Sequence, residues 1–415
     1  MEVTDYIALA IPAFFVLIAA ELFVLWLRGN LGRYRFDDAV TNLSCGLGQQ
    51  VTGVFLKVAV IGGYVWVFEN VALFAMSASS FWTWVLTFFA VDCAYYWWHR
   101  ASHRVNVLWA VHVVHHQSEE YNLSVALRQA WFSGATSMPF YLPLAILGVP
   151  PVVFVTVNAF STLYQFWIHT REIGKLGWVE WIFNTPAHHR VHHAIDPEYV
   201  DRNYAATLII WDRLFGTFKE EQQEPVYGTV KPYGSWDPIY ANFDYFGQII
   251  EIARRATRLP DRVKVWFMPP GWKPAELGGP DEPPEVSRST QRKFETACPV
   301  GVMAYVAVHF VLVAALSTVL LFDSGTSLSR AAPVVFTVLL TTWVWSGLFE
   351  GRAWAIPAEL ARLLGLAAAA VGLVWLGQGR VEWAAVGLVA VLVSSGWIWR
   401  YRAHFWSPPA VRSGA

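Results

Sequence analysis

Long apolar runs, separated by short polar stretches, recur along most of the chain. A bilayer-spanning helix needs about 20 mostly apolar residues. Runs of that kind fall at 7–27, 45–67, 81–98, 299–321, 333–349, 361–377 and 382–399. Two shorter runs, 137–147 and 152–168, are split by Gly148-Val149-Pro150-Pro151 and predict a full or re-entrant hairpin. The one long polar stretch, 169–297, contains a Gly/Pro-rich run at 269–284, and its later part reads as a loop leading back to the membrane. The pattern predicts an all-α fold, a polytopic membrane helical bundle with a cytoplasmic histidine-rich metal-binding cap. The expected divisions are N-terminal transmembrane helices over 1–80, a catalytic core over 81–220, a connecting segment over 221–297 and a C-terminal transmembrane bundle over 298–415.

Composition supports the membrane reading. Charged residues are 15% of the 415 and hydrophobic residues 55%, whereas a soluble domain carries about 25% charge. Much of the surface must therefore face lipid. Thirty basic and 31 acidic residues nearly balance, with no long basic run, which excludes a nucleic-acid binder. Cys45, Cys93 and Cys298 are far apart, so neither a disulfide framework nor a zinc ribbon is expected. The first apolar run follows the acidic Met1-Glu2-Val3-Thr4-Asp5 without a small-residue cleavage site and is expected to remain as an anchor. Arg28, Arg33, Arg35, Arg100 and Arg104 lie on one side of the membrane if every span crosses once. Arg352, Arg362, Arg400, Arg402 and Arg412 join them there, and Arg330 and Arg380 are the exceptions. The positive-inside rule makes that side cytoplasmic. Arginine far outnumbers lysine and no ER-retrieval tail is visible. This points to a bacterial inner membrane, or the endoplasmic reticulum in a eukaryote.

Ten of the twelve histidines fall between His99 and His193. His99 and His103 form an HxxxH, His112, His115 and His116 an HxxHH, and His189, His192 and His193 a second HxxHH preceded by His188. Residues three and four apart share one face of a helix. His103 and His112 are nine apart, half a turn out of phase at about 100° per residue. One straight helix cannot aim both boxes at one place, so a break is predicted between 104 and 111. His169 closes the split hairpin on the same side as the boxes and is expected to join them.

Ten imidazoles exceed the four ligands of one tetrahedral zinc. They suit two metal ions, with His99, His103, His112, His115, His116, His169, His188, His189, His192 and His193 as candidate ligands. Imidazole binds Fe, Zn, Cu or Ni, and histidine-bound iron with open positions is a frame for activating O₂. A single HxxxH at a helix end is more often an interfacial pair, but two HxxHH boxes beside it leave little room for that reading. Glu119, Glu120, Asp196, Asp201 and Asp212 are candidate acceptors behind the ligands, with Asp212 foremost because Trp211-Asp212-Arg213 sits in an apolar run. His309 and His404 are expected to be structural. A membrane zinc hydrolase is disfavoured by the absence of HExxH and of bridging carboxylates among the boxes. A bis-histidine cytochrome would need histidines inside opposing spans. A transporter would need more ionisable residues in the spans than Glu21, Lys57 and Asp92.

At these boxes the chain resembles the fatty acid hydroxylase/sterol desaturase superfamily, and within it the ether-lipid-cleaving branch. The resemblance is carried by His112 to Gln129, Tyr164 to Thr170, Asn184 to His193 and Asn203 to Phe218, with Pro270-Gly271-Trp272 downstream. It implies a non-haem di-iron site that hydroxylates an unactivated lipid C–H bond with O₂. The boxes, His99, His103, His112, His115, His116, His189, His192 and His193, would be its catalytic residues, backed by Asp212, Asn203 and Glu119. For that branch the attacked carbon is the ether-linked one of an alkylglycerol and the electron donor is tetrahydrobiopterin. Other members hydroxylate or desaturate sterols or acyl chains with a redox protein as donor, and the spacing of the boxes does not separate these reactions. The chain departs from the branch at Arg104, where its animal members carry an acidic residue; that position bears on pterin use and substrate, not on the metal ligands.

Overall fold

A computed structural model describes residues 6–282, 286, 288–322 and 327–406. Met1 to Asp5, Pro283, Pro284 and Arg412 of the sequence reading lie outside the described residues. Among the described residues the secondary structure is helical, apart from two isolated antiparallel bridges, Phe183–Leu208 and Ala194–Tyr227. Six helical stretches are long and apolar enough to cross a membrane: Tyr6–Leu27, Leu31–Val71, Val300–Phe322, Leu328–Phe349, Ala355–Trp375 and Val381–Trp399. The expected run at 81–98 does form a helix but is not one of the six, because its tyrosines, tryptophans and Asp92 dilute its apolar content. Large apolar side chains on these helices, such as Val16, Trp26 and Val58, are exposed, which is costless where lipid is the solvent.

By compactness the chain divides into two units, Met1–Tyr233 with Tyr240–Lys293, and Gly234–Ile239 with Phe294–Ala415. The first contains α1 (Tyr6–Leu27), α2 (Phe36–Val71), α3 (Phe81–Arg104), α4 (Asn106–His116), α5 (Ser133–Ile146) and α6 (Pro151–Trp167). Its apolar centre lies among α2, α3, α5 and α6, where the Tyr64 and Phe154 rings stack 4.3 Å apart. The α5–α6 hairpin turns at Gly148, in the left-handed region at φ +85°, where a Cβ would stand 1.9 Å from the Phe74 carbonyl oxygen. α2 begins well before the expected span because its first turns lie in the cap. There Asp38 accepts from Ser118 (2.8 Å), and Asn42 accepts from the Arg128 guanidinium (3.0 Å).

Short helices α7 (Pro186–His192) and α8 (Ile210–Leu214) follow. The stretch read as a connecting loop contains two more, α9 (Pro238–Arg255) and α10 (Leu259–Lys264). Tyr245, Phe246, Ile249, Ile252 and Ala253 pack with Ala110 of α4, and their spacing is that of one helical stripe. Polar residues on the other face of α9 hide this stripe from a count of apolar content.

The second unit is built on α11 (Val300–Phe322), α12 (Leu328–Phe349), α13 (Ala355–Trp375) and α14 (Val381–Trp399). Charges survive inside a membrane bundle when they are paired. Glu359 and Arg362 are both buried and pair at 2.7 Å, and Tyr305 donates to the same carboxylate. His309, expected to be structural, places Nε2 3.1 Å from the Ser394 hydroxyl.

Two glycines let the cap approach α2 closely. A Cβ at Gly46 would lie 2.4 Å from the Leu127 carbonyl oxygen, and one at Gly48 would lie 2.5 Å from the Trp131 indole nitrogen. Overpacking of this kind costs about 1–3 kcal/mol. Gly46→Val is therefore expected to lower the melting temperature in detergent and to reduce metal content, because Arg128, next to Leu127, supports a histidine of the cap. An unchanged melting curve would show that the segment yields freely.

Candidate metal centre

Each histidine box lies at the end of a helix. His99 and His103 occupy the last turns of α3. Val105, extended at φ −126° and ψ 119°, makes the predicted break and redirects the chain into α4. The first amides of α4 have no partners within the helix; Asn106 N–H donates to the Met268 carbonyl and Val107 N–H to that of Trp266, both at 2.9 Å. α4 ends on His112, His115 and His116. The Arg128 guanidinium sits at that C-terminus, donating to the Val114 carbonyl at 2.7 Å, where a positive charge complements the helix dipole. α7 begins with Pro186 at its first position and carries His189 and His192 into His193. His169 lies just beyond α6.

The imidazoles form two sets: His99, His103, His112, His116 and His192, and separately His115, His169, His189 and His193. Within each set the ligand nitrogens lie within 4.8 Å of one another, and all nine residues are buried. The two HxxHH boxes are shared between the sets in opposite senses. His112 and His116 go to the first set and His115 to the second, whereas His189 and His193 go to the second and His192 to the first. Neither HxxHH box serves one set alone, whereas His99 and His103 both belong to the first. The sets adjoin, with the His116 and His193 rings stacked 4.4 Å apart.

The donor atoms fit metal ions. Nε2 of His112 lies 2.9 Å from Nε2 of His99 and 3.1 Å from that of His116. Nε2 of His169 lies 3.2 Å from that of His115 and 3.0 Å from that of His189. Nitrogens about 2.0–2.1 Å from one ion and at right angles would be about 3 Å apart. Nε2 of His103, His192 and His193 is buried without a hydrogen-bond partner, a costly state that a cation at the centre of each set relieves. All-imidazole sets suit first-row transition metals, not calcium or magnesium.

Four of the outward nitrogens are held by backbone. Nδ1–H of His99 donates to the Tyr204 carbonyl (2.7 Å), that of His115 to Arg128 (3.0 Å), that of His169 to Gln165 (2.7 Å) and that of His192 to Arg202 (3.0 Å). Such bonds fix the tautomer and aim Nε2 inward. His103 instead turns Nδ1 toward the Asp201 carboxylate at 3.6 Å, and the same carboxylate pairs with Arg104 at 3.4 Å.

Of the expected supporting residues, Asp212 and Asn203 act through this backbone, and Glu119, Glu120 and Asp196 support no imidazole among the contacts seen. Asp212 touches no imidazole; it accepts from the Tyr204 and Ala205 amides (2.8 and 2.9 Å) and from Thr217 (2.7 Å). Asn203 binds the His188 and Lys219 carbonyls at 3.1 and 2.7 Å. Asp201 and Asn203 both adopt positive φ, 62° and 54°, a conformation that Asp and Asn tolerate better than most residues. The resulting zigzag presents the Arg202 and Tyr204 carbonyls to His192 and His99. Glu119 packs against Gly228, Glu120 pairs with Arg171 and Lys293, and Asp196 accepts from the Val226 amide. His188 is not brought into either set. It lies one residue, about 100°, off the face of His189, and its ring packs edge-on against Phe218.

Asp92 and Arg128 were missed as supports. Asp92 accepts from the Thr207 and Leu208 amides and from the Trp211 indole, at 2.9, 3.0 and 2.9 Å. The signal for it was a lone carboxylate in an apolar helix.

A family model for fatty acid hydroxylases matches residues 84–217, the span that holds all ten clustered histidines. The chain is 36% identical to an alkylglycerol monooxygenase of Xenopus tropicalis over 368 residues, covering 88% of this chain and 81% of that protein. It is 40% identical to the alkylglycerol monooxygenase of Homo sapiens over 316 residues, covering 76% of this chain and 71% of that protein. The chain belongs to the alkylglycerol monooxygenase family. A more remote likeness, 28% identity over 144 residues, links it to the ornithine lipid hydroxylase OlsE of Rhizobium tropici, covering 32% of this chain and 41% of that protein. No solved structure matches the chain.

As a member of the alkylglycerol monooxygenase family, the protein is a multi-pass membrane enzyme, a lipid monooxygenase using O₂. The family and the two imidazole sets agree on a non-haem iron centre.

Burial, reinforced by the neighbouring imidazoles, holds His99, His112, His116, His189, His192 and His193 well below the usual histidine range. Burial also lowers His115 to about 4. Burial pushes Asp212 up to about 6 against its three hydrogen bonds. For Asp201 burial acts upward, but His103 and Arg104 outweigh it and hold the carboxyl low. In the unfolded chain these histidines take up protons near pH 6.5, whereas in the folded cap they do so only at lower pH. The unfolded state thus binds more protons between those values, and stability falls as pH falls. Metal-free protein in detergent is expected to melt at progressively lower temperature between about pH 6.5 and about pH 4. A melting temperature independent of pH in that window would contradict the buried neutral cluster.

Proposed function

We propose that the protein oxidises the ether-linked carbon of alkylglycerols, with residues 81–220 as its catalytic core. The carrying observation is the coincidence of two buried imidazole sets with extensive identity to alkylglycerol monooxygenases. In this reading His99, His103, His112, His116 and His192 hold one iron, and His115, His169, His189 and His193 hold a second. When bound, the irons supply the reduction of O₂ and the removal of hydrogen from an unactivated C–H bond. One O₂, two electrons and two protons convert the ether R–CH₂–O–R′ into the hemiacetal R–CH(OH)–O–R′ and water. The hemiacetal hydroxyl proton passes to the departing oxygen as the C–O bond breaks, leaving a fatty aldehyde and a glycerol.

The chain's own part is to orient and to exclude water. The four backbone carbonyls and Asp201 orient the outward ring nitrogens of five of the nine imidazoles, so that their inward ones are ready for metal. Asp92 and Asp212 anchor the loop that supplies two of those carbonyls. The boxes share the side of the membrane marked by Arg28, Arg33, Arg35, Arg100 and Arg104, which supports a cytoplasmic site. A lipid then rises from the bilayer while reductant arrives from water. The membrane is the inner membrane of a bacterium, or the endoplasmic reticulum in a eukaryote, and the donor is tetrahydrobiopterin, with a redox protein as the other option.

Iron-replete membranes given O₂ and an alkylglycerol are expected to release fatty aldehyde when tetrahydrobiopterin is present and none without it. No aldehyde in either condition, from protein confirmed to hold two irons, would shift the reading to a sterol or acyl-chain substrate with a protein donor. His115→Ala and His192→Ala should each abolish aldehyde release and lower metal content while the protein remains membrane-inserted. Full activity in either variant would end the metal-site assignment.

A further inference from the structure

The nine imidazoles are buried, so a reductant cannot touch the metals they would hold, and electrons must cross at least one layer of side chains. On one side of the second set that layer is a continuous stack of rings. Tyr121 lies nearly parallel to His169, 5.8 Å away at 25°, and 5.3 Å from His193. Tyr227 stacks on Tyr121 at 4.8 Å and 15°. The Arg171 guanidinium sits 5.0 Å over Tyr227 and donates to the Tyr121 carbonyl at 3.1 Å.

The stack is held in register with the ligands. The Tyr121 hydroxyl donates to the Ile168 carbonyl, next to His169, at 3.0 Å. Tyr227 bridges Ala194, next to His193, and the Ile195 amide donates to the Val226 carbonyl at 2.8 Å. Beyond Arg171 the protein opens into a cavity of about 420 Å³ whose wall includes Arg33, Arg171, Lys175 and Arg190 against Glu221 and Glu224. That volume suits a small molecule. Each of the four cations has a carboxylate partner, Arg33 with Glu172, Arg171 with Glu120, Lys175 with Glu220 and Arg190 with Glu221. Arg28, Lys293 and Arg288 share these carboxylates and Glu224, so seven cations stand against five carboxylates (Glu120, Glu172, Glu220, Glu221 and Glu224) and the cavity stays net positive. Arg171 is two residues beyond His169 and Arg190 one beyond His189, so the cavity backs onto the second set.

We propose that this cavity holds a small water-soluble reductant by its anionic or hydrogen-bond-accepting groups, and that the stacked Tyr227–Tyr121 pair relays its electrons to the second imidazole set. The proposal rests on the functional reading above, because it requires a redox metal in that set. Per O₂ the reductant loses two electrons and the centre gains them; the tyrosines relay them and end unchanged.

The test is anaerobic stopped-flow reduction of the iron-loaded full-length protein in detergent, by dithionite, a small anion, and by reduced methyl viologen, a cation. Tyr227→Phe keeps the ring and is expected to reduce at the wild-type rate. Tyr227→Leu should be severalfold slower with both reductants at unchanged iron content. Lys175→Glu, an exposed cavity position, should slow dithionite by about tenfold through lost electrostatic attraction while leaving the viologen rate unchanged or faster. A Tyr227→Leu protein that holds its iron and is reduced as fast as wild type overturns the route. If that variant loses iron, Lys175→Glu decides, and equal effects on both reductants overturn the docking site. Wild-type protein without reducible iron would instead sink the functional reading itself.

Discussion

For a buried, uncharged imidazole to aim one nitrogen at a metal, its other nitrogen must carry the proton outward, and for five of the nine that nitrogen has a partner. That tautomer requirement governs the architecture of the cap. Backbone carbonyls take the outward proton of His99, His115, His169 and His192, and Asp201 faces that of His103. The remaining nitrogens are left to face one another at distances a shared ion would satisfy.

Those carbonyls must themselves be held, and the membrane helices do much of the holding. Asp92 on α3 fixes the amides of Thr207 and Leu208, while Glu21 on α1 binds the Leu123 amide at 2.8 Å and the Thr170 hydroxyl at 2.6 Å. Arg128 ties α2, through Asn42, to the end of α4 and offers its own carbonyl to His115. Carboxylates that look misplaced in apolar helices are thus the roots of the cap. Their desolvation is offset because each accepts several hydrogen bonds at once.

Much of this was legible in the sequence where a short-range rule sufficed. The half-turn offset between His103 and His112 placed the break that falls at Val105, and Gly148-Val149-Pro150-Pro151 marked the turn between α5 and α6. The partition of each HxxHH between two sets was not legible, because it depends on where α4 and α7 meet, a long-range relation that spacing does not encode. His188 illustrates the same limit: adjacency in sequence to a ligand is a large rotation on a helix. Asp212 was expected to accept from an imidazole; it holds the Tyr204 and Ala205 amides instead, an action that needed the path of the loop. The stripe on α9 was diluted by the polar face opposite it, and the length of α2 was hidden by acidic first turns that belong to the cap.

A backbone carbonyl has no codon of its own. Tyr204, Arg128, Gln165 and Arg202 could each change identity without removing the acceptor that orients a histidine. Point substitution therefore has little hold on this part of the centre, whereas a one-residue insertion or deletion between His193 and Asp212 would move two acceptors at once. Over evolutionary drift that loop should be strict about its length and about Asp201 and Asn203, whose left-handed backbone aims the carbonyls, and freer at the residues that lend only a carbonyl.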